Sequence, residues 1–428
     1  MEAKMNVCGN TKPRTITLVD SAACAPRSGP AVLLFAALLF GTSIYFVRER
    51  EATADGINYM QGVTELGSVL LVAILTLIAT RTTRRLRSFD KRSCICWCGF
   101  IFAATCASIN SWSPTHSVAK AAIAIGVLVT ALTLSRAYGP IEAAYAFHKA
   151  VMLFLVVAVA AGFTFPTVFP LLSHSEMDQR ERLQLFYNPP VYTAYLCGIA
   201  FLISLSSTLG KRSRLHVVRQ AVLLIAILLT ETRWALICLS IVATWCYLSS
   251  RKREPFRHIA LFVCLSASAC LLAELAINTT TVSSIVRRGT GSNAGIHEGV
   301  FRLDGRMDLW ETIGSSTRLN WAWGHGIEGD RYILREAGTW ADQAHNVLLE
   351  VLLSSGVLGA VLFIIAVWFT VRRWYVTTRV VDRPEWLRAL MVFWVVDSLL
   401  DPMLLSTAGI VLFGILMANS RRGCVLSE

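Results

Sequence analysis

His148 to Pro170 read HKAVMLFLVVAVAAGFTFPTVFP, twenty-three residues whose only full charge is Lys149. A helix rises about 1.5 Å per residue, so this run spans roughly 34 Å as a helix. The hydrocarbon core of a bilayer is about 30 Å thick. No water is available there to satisfy peptide groups, so such a run must hydrogen-bond to itself as a helix. Similar runs recur at 30–47, 62–80, 94–112, 117–135, 191–209, 216–230, 234–249, 256–278, 346–371, 386–401 and 403–420, which makes twelve candidate spans. The sequence does not show the short alternating segments of a membrane β-barrel. The expected fold class is an all-α polytopic membrane protein.

Composition agrees. Of 428 residues, 54% are hydrophobic and 16% are charged, with mean hydropathy +0.55. Soluble domains carry about 25% charged residues, and disordered chains have low hydrophobicity. Both classes are excluded. The net charge of +12 would point to nucleic acid in a soluble protein. Its placement removes that reading. With the N-terminus cytoplasmic, 27 of the 40 Lys and Arg fall on cytoplasmic segments and 13 on the outer side, seven of these in one loop. Cytoplasmic loops of membrane proteins collect positive charge. Both termini are therefore expected in the cytoplasm. The chain divides into a cytoplasmic tail (1–29), spans one to nine (30–278), a large outer loop (279–345), spans ten to twelve (346–420) and a cytoplasmic tail (421–428). The 12 cysteines lie mostly in apolar runs and read as small buried hydrophobes. Cys94, Cys96 and Cys98 lack the paired spacing of a zinc site, so no metal is expected there.

The large loop holds seven Arg, eight Asp or Glu, and no Lys. Guanidinium groups grip phosphate with two parallel hydrogen bonds, although a solvated loop of Arg–acid pairs is the plainer reading. Residues 304–316, DGRMDLWETIGSS, read as a helix with Leu303, Met307 and Trp310 on one face. Gly324, Gly326 and Gly329 mark a flexible stretch after it. His297 and His325, set between glycines, read as ordinary loop residues.

Three places at the outer membrane edge carry charge or an imidazole. Spans seven and eight are short, so the turn Thr230-Glu231-Thr232-Arg233 is expected below the outer surface. A charge at that depth usually faces a cavity or a partner; here it either pairs with Glu231 or binds a ligand. His345 opens span ten. It reads either as a general base, its proton affinity suiting neutral pH, or as a helix-capping side chain. Asp397 and Asp401 are four residues apart, which puts them on one face of span eleven.

Taken together, these segments resemble the bacterial O-antigen ligases and their relatives, the O-antigen polymerases and protein O-oligosaccharyltransferases. The resemblance is carried by TETRWAL around Arg233, by GRMDLW from Gly305 to Trp310, by HNVLLEVLLSSGVLG from His345 to Gly359, and by the outer segment with Arg180, Arg182, Asn188 and Pro189. Thr232 and Trp234 depart from the Ser and Gly often found in the family. The resemblance implies a C-type glycosyltransferase of the bacterial inner membrane with a periplasmic site. The donor would be O-antigen on undecaprenyl diphosphate and the acceptor a lipid A–core hydroxyl. Within that chemistry, His345 is the base and Arg233 and Arg306 clamp the diphosphate. Arg180, Arg182, Asn188, Arg302, Asp397 and Asp401 are further substrate-binding candidates. The first outer loop has no D-x-D spacing among Glu49, Glu51 and Asp55, so the reaction is expected to need no metal and no cofactor, and to invert the anomeric centre. The expected partners are the lipid-linked donor, the lipid A–core acceptor and membrane lipids, with no nucleic acid. A polymerase or protein glycosyltransferase would share this loop. A transporter or flippase would also have many spans, but the two halves of the chain show no internal repeat.

Overall fold

The computed structural model describes residues 28–43, 59–81, 88–111, 113–174, 181–186, 189–207, 214–230, 235–242, 306–315, 320–328, 343–377, 385–398 and 403–418, with 232, 331 and 334. The described chain is mostly helical. In order the helices are α1 (Gly29–Ser43), α2 (Tyr59–Arg81), α3 (Lys91–Ala107), α4 (Pro114–Tyr138), α5 (Pro140–Thr164), α6 (Pro190–Ser207), α7 (Arg214–Leu229), α8 (235–242), α9 (Arg306–Ser315), α10 (Val347–Thr377), α11 (Glu385–Ser398) and α12 (Thr407–Met417). Five stretches among the described residues are long and apolar enough to cross a membrane: Val63–Arg81, Lys91–Asn110, Pro114–Tyr138, Pro140–Thr164 and Val347–Trp374. Shorter apolar helices coincide with the expected spans 30–47, 191–209, 216–230, 386–401 and 403–420; only 235–242 of the span 234–249 is described, and 256–278 lies outside the described residues.

One of these short apolar helices, α12, lies inside the bundle. From Ala408 to Ala418 every residue of α12 is buried, as befits a helix that is apolar all round. Phe413 meets Trp97 of α3 at 4.6 Å between ring centroids and Trp394 of α11 at 5.6 Å. Gly414 lets α12 approach α4 closely, because a Cβ there would lie 2.7 Å from that of Ala131. Small residues at crossings are how helices gain contact in lipid, where apolar burial gives no preference for protein over tail. The alternation in Cys94-x-Cys96-x-Cys98 falls on α3, where alternate residues point to opposite sides.

The two ends of the bundle differ. At one end Arg373 donates to Met417 O at 2.8 Å, Trp374 Nε1 to Leu416 O at 2.6 Å, and Asp90 N to Met417 O at 3.0 Å. These donors satisfy the terminal carbonyls of α12, which have no partner within the helix. Arg136 lies over the Phe89 ring at the same end. The opposite end gathers Asn110, His116, Lys120 and the 320–328 segment.

The expected all-α fold has no place for a hairpin, yet Leu172–His174 (β1) pairs antiparallel with Glu181–Leu183 (β2). Just beyond it, Phe186 packs against Phe40, Phe154 and Phe169, which pins the hairpin to α1 and α5.

Candidate functional site

The expected site residues that are described lie in two groups. The first surrounds the start of α6. The hairpin puts Arg182 opposite Ser173, and β2 packs on both α6 and α7. Because α7 runs back along α6, its end at Leu229 returns to that hairpin. Just beyond that end Thr230 and Thr232 are both buried, and Thr230 Oγ1 donates to Ile227 O at 2.6 Å. Asp397 is buried near the end of α11 and within electrostatic reach of Tyr195 on α6. The ring of Tyr195 stacks on Phe393, one turn before Asp397, at 5.7 Å.

The second group surrounds His345. Asn346 caps α10: its Oδ1 accepts from the N–H groups of Leu348 at 2.9 Å and Leu349 at 3.2 Å, as a helix N-cap does. His345 therefore directly precedes the cap, where the loop passes into span ten. Its φ is +48°, a left-handed backbone that non-glycine residues adopt sparingly. Ala344, just before it, is held from both sides. Its N–H donates to the Glu350 carboxylate at 3.0 Å, and its carbonyl accepts the Trp310 indole N–H at 2.8 Å.

Trp310 belongs to α9, whose first residue is Arg306. Leu309 and Ile313 of α9 are buried, with Trp310, one of the residues of the expected face, packed beside them; Leu303 lies outside the described residues. Leu309 and Ile313 join Leu334, Ala344 and Leu353 in a small core apart from the main bundle. Burying each such large side chain is worth about 1.5–3 kcal/mol. This core sets the helix that begins at Arg306 against the helix that follows His345.

A third feature was not foreseen. α10 is broken at Gly356, with φ +66° and ψ −173°. In an unbroken helix the N–H of Val357 would bond to Leu353 O. Instead Val357 N donates to Ala322 O at 3.3 Å, while Leu353 O accepts from His325 N at 2.7 Å and Ser354 O from Gly326 N at 2.9 Å. The loop thus supplies the backbone partners that the break removes. Gly324 and Gly326 have φ of +78° and +82°. They serve this close docking rather than flexibility.

The same loop is tied down by charge. Glu328 meets His116 Nε2 at 3.2 Å and Lys120 Nζ at 3.4 Å, and Lys120 also meets Glu65 at 3.1 Å. Burial alone would raise the Glu328 pKa, but Lys120, His116 and Arg331 hold it well below the usual carboxylate range. His325 is buried and accepts the Asn320 N–H at Nε2. It plays a structural part. Arg180, Asn188, Arg233, Arg302 and Asp401 lie outside the described residues.

These features define a multi-pass helical membrane protein whose long loop before α10 docks back onto a broken helix and frames a histidine. Residues 220–364 match the family model described as O-antigen ligase. The match takes in Arg233, Arg302, Arg306, His345 and the break at Gly356. No curated protein and no solved structure matches the chain.

Proposed function

We propose that the protein is an O-antigen ligase, moving a glycan from undecaprenyl diphosphate to a hydroxyl of lipid A–core oligosaccharide at the periplasmic face of the bacterial inner membrane. The observation that carries this is the docking of α9, which begins at Arg306, on the turn that holds His345, inside the segment matched by the O-antigen ligase family. His345 takes the proton of the acceptor hydroxyl, whose oxygen attacks the anomeric carbon of the donor sugar. The bond from that carbon to the diphosphate oxygen breaks, and the diphosphate leaves with the electron pair. Arg233 and Arg306 stabilise the charge that develops on it. Arg182, Asp397 and the buried Thr230 and Thr232 after α7 line the approach from α6, with Arg180, Asn188, Arg302 and Asp401 as further contacts. A single displacement inverts the anomeric centre. In this reading the arginines do the work of a divalent cation, and EDTA leaves the rate unchanged.

The deciding experiment uses purified protein with lipid-linked O-antigen and rough lipopolysaccharide. A ligase attaches glycan to lipid A–core. A polymerase of the same family instead lengthens the lipid-linked chain, and that product would overturn the ligase reading.

A further inference from the structure

Glu350 is a carboxylate inside an otherwise apolar stretch of α10, and it is only 4% exposed. A buried carboxylate needs a hydrogen-bond partner to offset its lost hydration. It reaches back past the Asn346 cap to the N–H of Ala344 at 3.0 Å. The carbonyl of that same residue is held by Trp310 of α9 at 2.8 Å. Both peptide groups of Ala344 are therefore fixed by side chains from different elements. The next residue, His345, carries the left-handed φ of +48°. A non-glycine residue stays in that region when its surroundings over-determine it.

We infer that Glu350 is a positioning residue for His345, its carboxylate holding the Ala344 N–H and through it the left-handed turn that presents the imidazole. The inference rests on His345 being the base. Glu350 never touches substrate. It acts by accepting a hydrogen bond, so an amide oxygen in the same place does most of its work. Small misplacements of a catalytic group reduce turnover by up to about a hundredfold without changing ground-state binding.

The experiment measures kcat and KM for glycan transfer from lipid-linked O-antigen to rough lipopolysaccharide, with rates referred to the fraction of protein that binds donor. Glu350→Leu is expected to lower kcat about ten- to a hundredfold while both KM values stay within about twofold. Glu350→Gln is expected to recover most of that loss. Should Glu350→Leu fail to accumulate, Glu350→Met fills similar volume and carries the same expectation. Unchanged kcat in the apolar variants, a loss borne by KM, or Glu350→Gln as slow as Glu350→Leu would each overturn the inference. His345→Ala is measured alongside: if it retains activity, the base assignment fails, whatever the Glu350 variants do.

Discussion

The indole N–H of Trp310 donates to the carbonyl oxygen of Ala344 at 2.8 Å, across 34 residues of chain. This contact joins the motif from Gly305 to Trp310 to the motif that starts at His345. Each is a weak signal in the sequence. The hydrogen bond makes them one assembly, because Trp310 lies one turn after Arg306 on α9 and Ala344 directly precedes His345.

In the proposed mechanism His345 as base and Arg233 in the diphosphate clamp act on the same step. Replacing His345 or Arg233 by Ala is expected to reduce glycan attachment by at least about a hundredfold. Membrane levels of both variants are expected to match the parent protein. Lipopolysaccharide ladders from a complemented ligase-deficient strain give the readout, and a normal ladder in either variant rules out the mechanism.

Gly356 is where the loop enters the helix. A Cβ there would strike Ala322 O, and φ is +66°. Gly356→Ala is therefore expected to lift the 322–326 segment from α10 and destabilise the protein by at least about 1–3 kcal/mol. Gly359 has a helical backbone and its nearest neighbour is the Ser355 side chain, so Gly359→Ala should perturb the loop less. Limited proteolysis between Asn320 and Glu328 distinguishes the two. Equal cleavage rates for Gly356→Ala and the parent would show that the break is not what holds the loop.

Lys120 sits between two carboxylates, Glu65 and Glu328. Removing its charge leaves those acids facing each other in a partly buried place. Breaking a fully buried ion pair costs about 3–5 kcal/mol. With side chains 11–25% exposed, screening brings the expected cost of Lys120→Met down to roughly 1–3 kcal/mol. Lys120→Met combined with Glu328→Gln should recover part of the loss, since the repulsion is relieved. Thermal unfolding in detergent measures both, and a double variant less stable than Lys120→Met would contradict the pairing.

The spans were legible because lipid imposes a simple rule: an apolar run long enough to cross must be a helix. The run at 117–135 accordingly falls inside α4, and the run at 148–170 lies in α5 as far as Thr164, where the helix ends six residues before the run does. The hairpin of Leu172–His174 with Glu181–Leu183 was not legible, since three-residue strands leave no periodic signature. The helix after Asp304 was visible, and Trp310 of its expected face does pack on the small core, but Leu309 and Ile313 were not foreseen. The burial of Leu309 and Ile313 depends on docking partners distant in sequence, among them Leu334 and, on α10, Leu353, which local periodicity does not identify. Gly356 was quoted within a motif, but its role depends on Ala322, a long-range partner that no local pattern names. Glu350 was passed over for the same reason: its function lies in reaching back to Ala344.

His325 gives the loop a pH dependence whose sign follows from its hydrogen bonds. Nε2 accepts the Asn320 N–H at 2.9 Å, and Nδ1 faces Asn110 O at 3.3 Å. The ring must therefore be neutral, with its proton on Nδ1. Burial pushes its pKa below the ordinary value, partly opposed by the bond to Asn110. The unfolded chain then binds the proton more readily than the folded one. Stability from this site is full above about pH 6.5, the ordinary value, and is lost as pH falls from there toward the depressed folded value. Protonation would place a hydrogen on Nε2 against the Asn320 N–H. His325→Leu cannot titrate, so its melting temperature should fall less between pH 7.5 and 5.5 than that of the parent protein. Parallel falls in the two proteins would mean that His325 does not titrate with unfolding, and that another group sets the acid sensitivity of the loop.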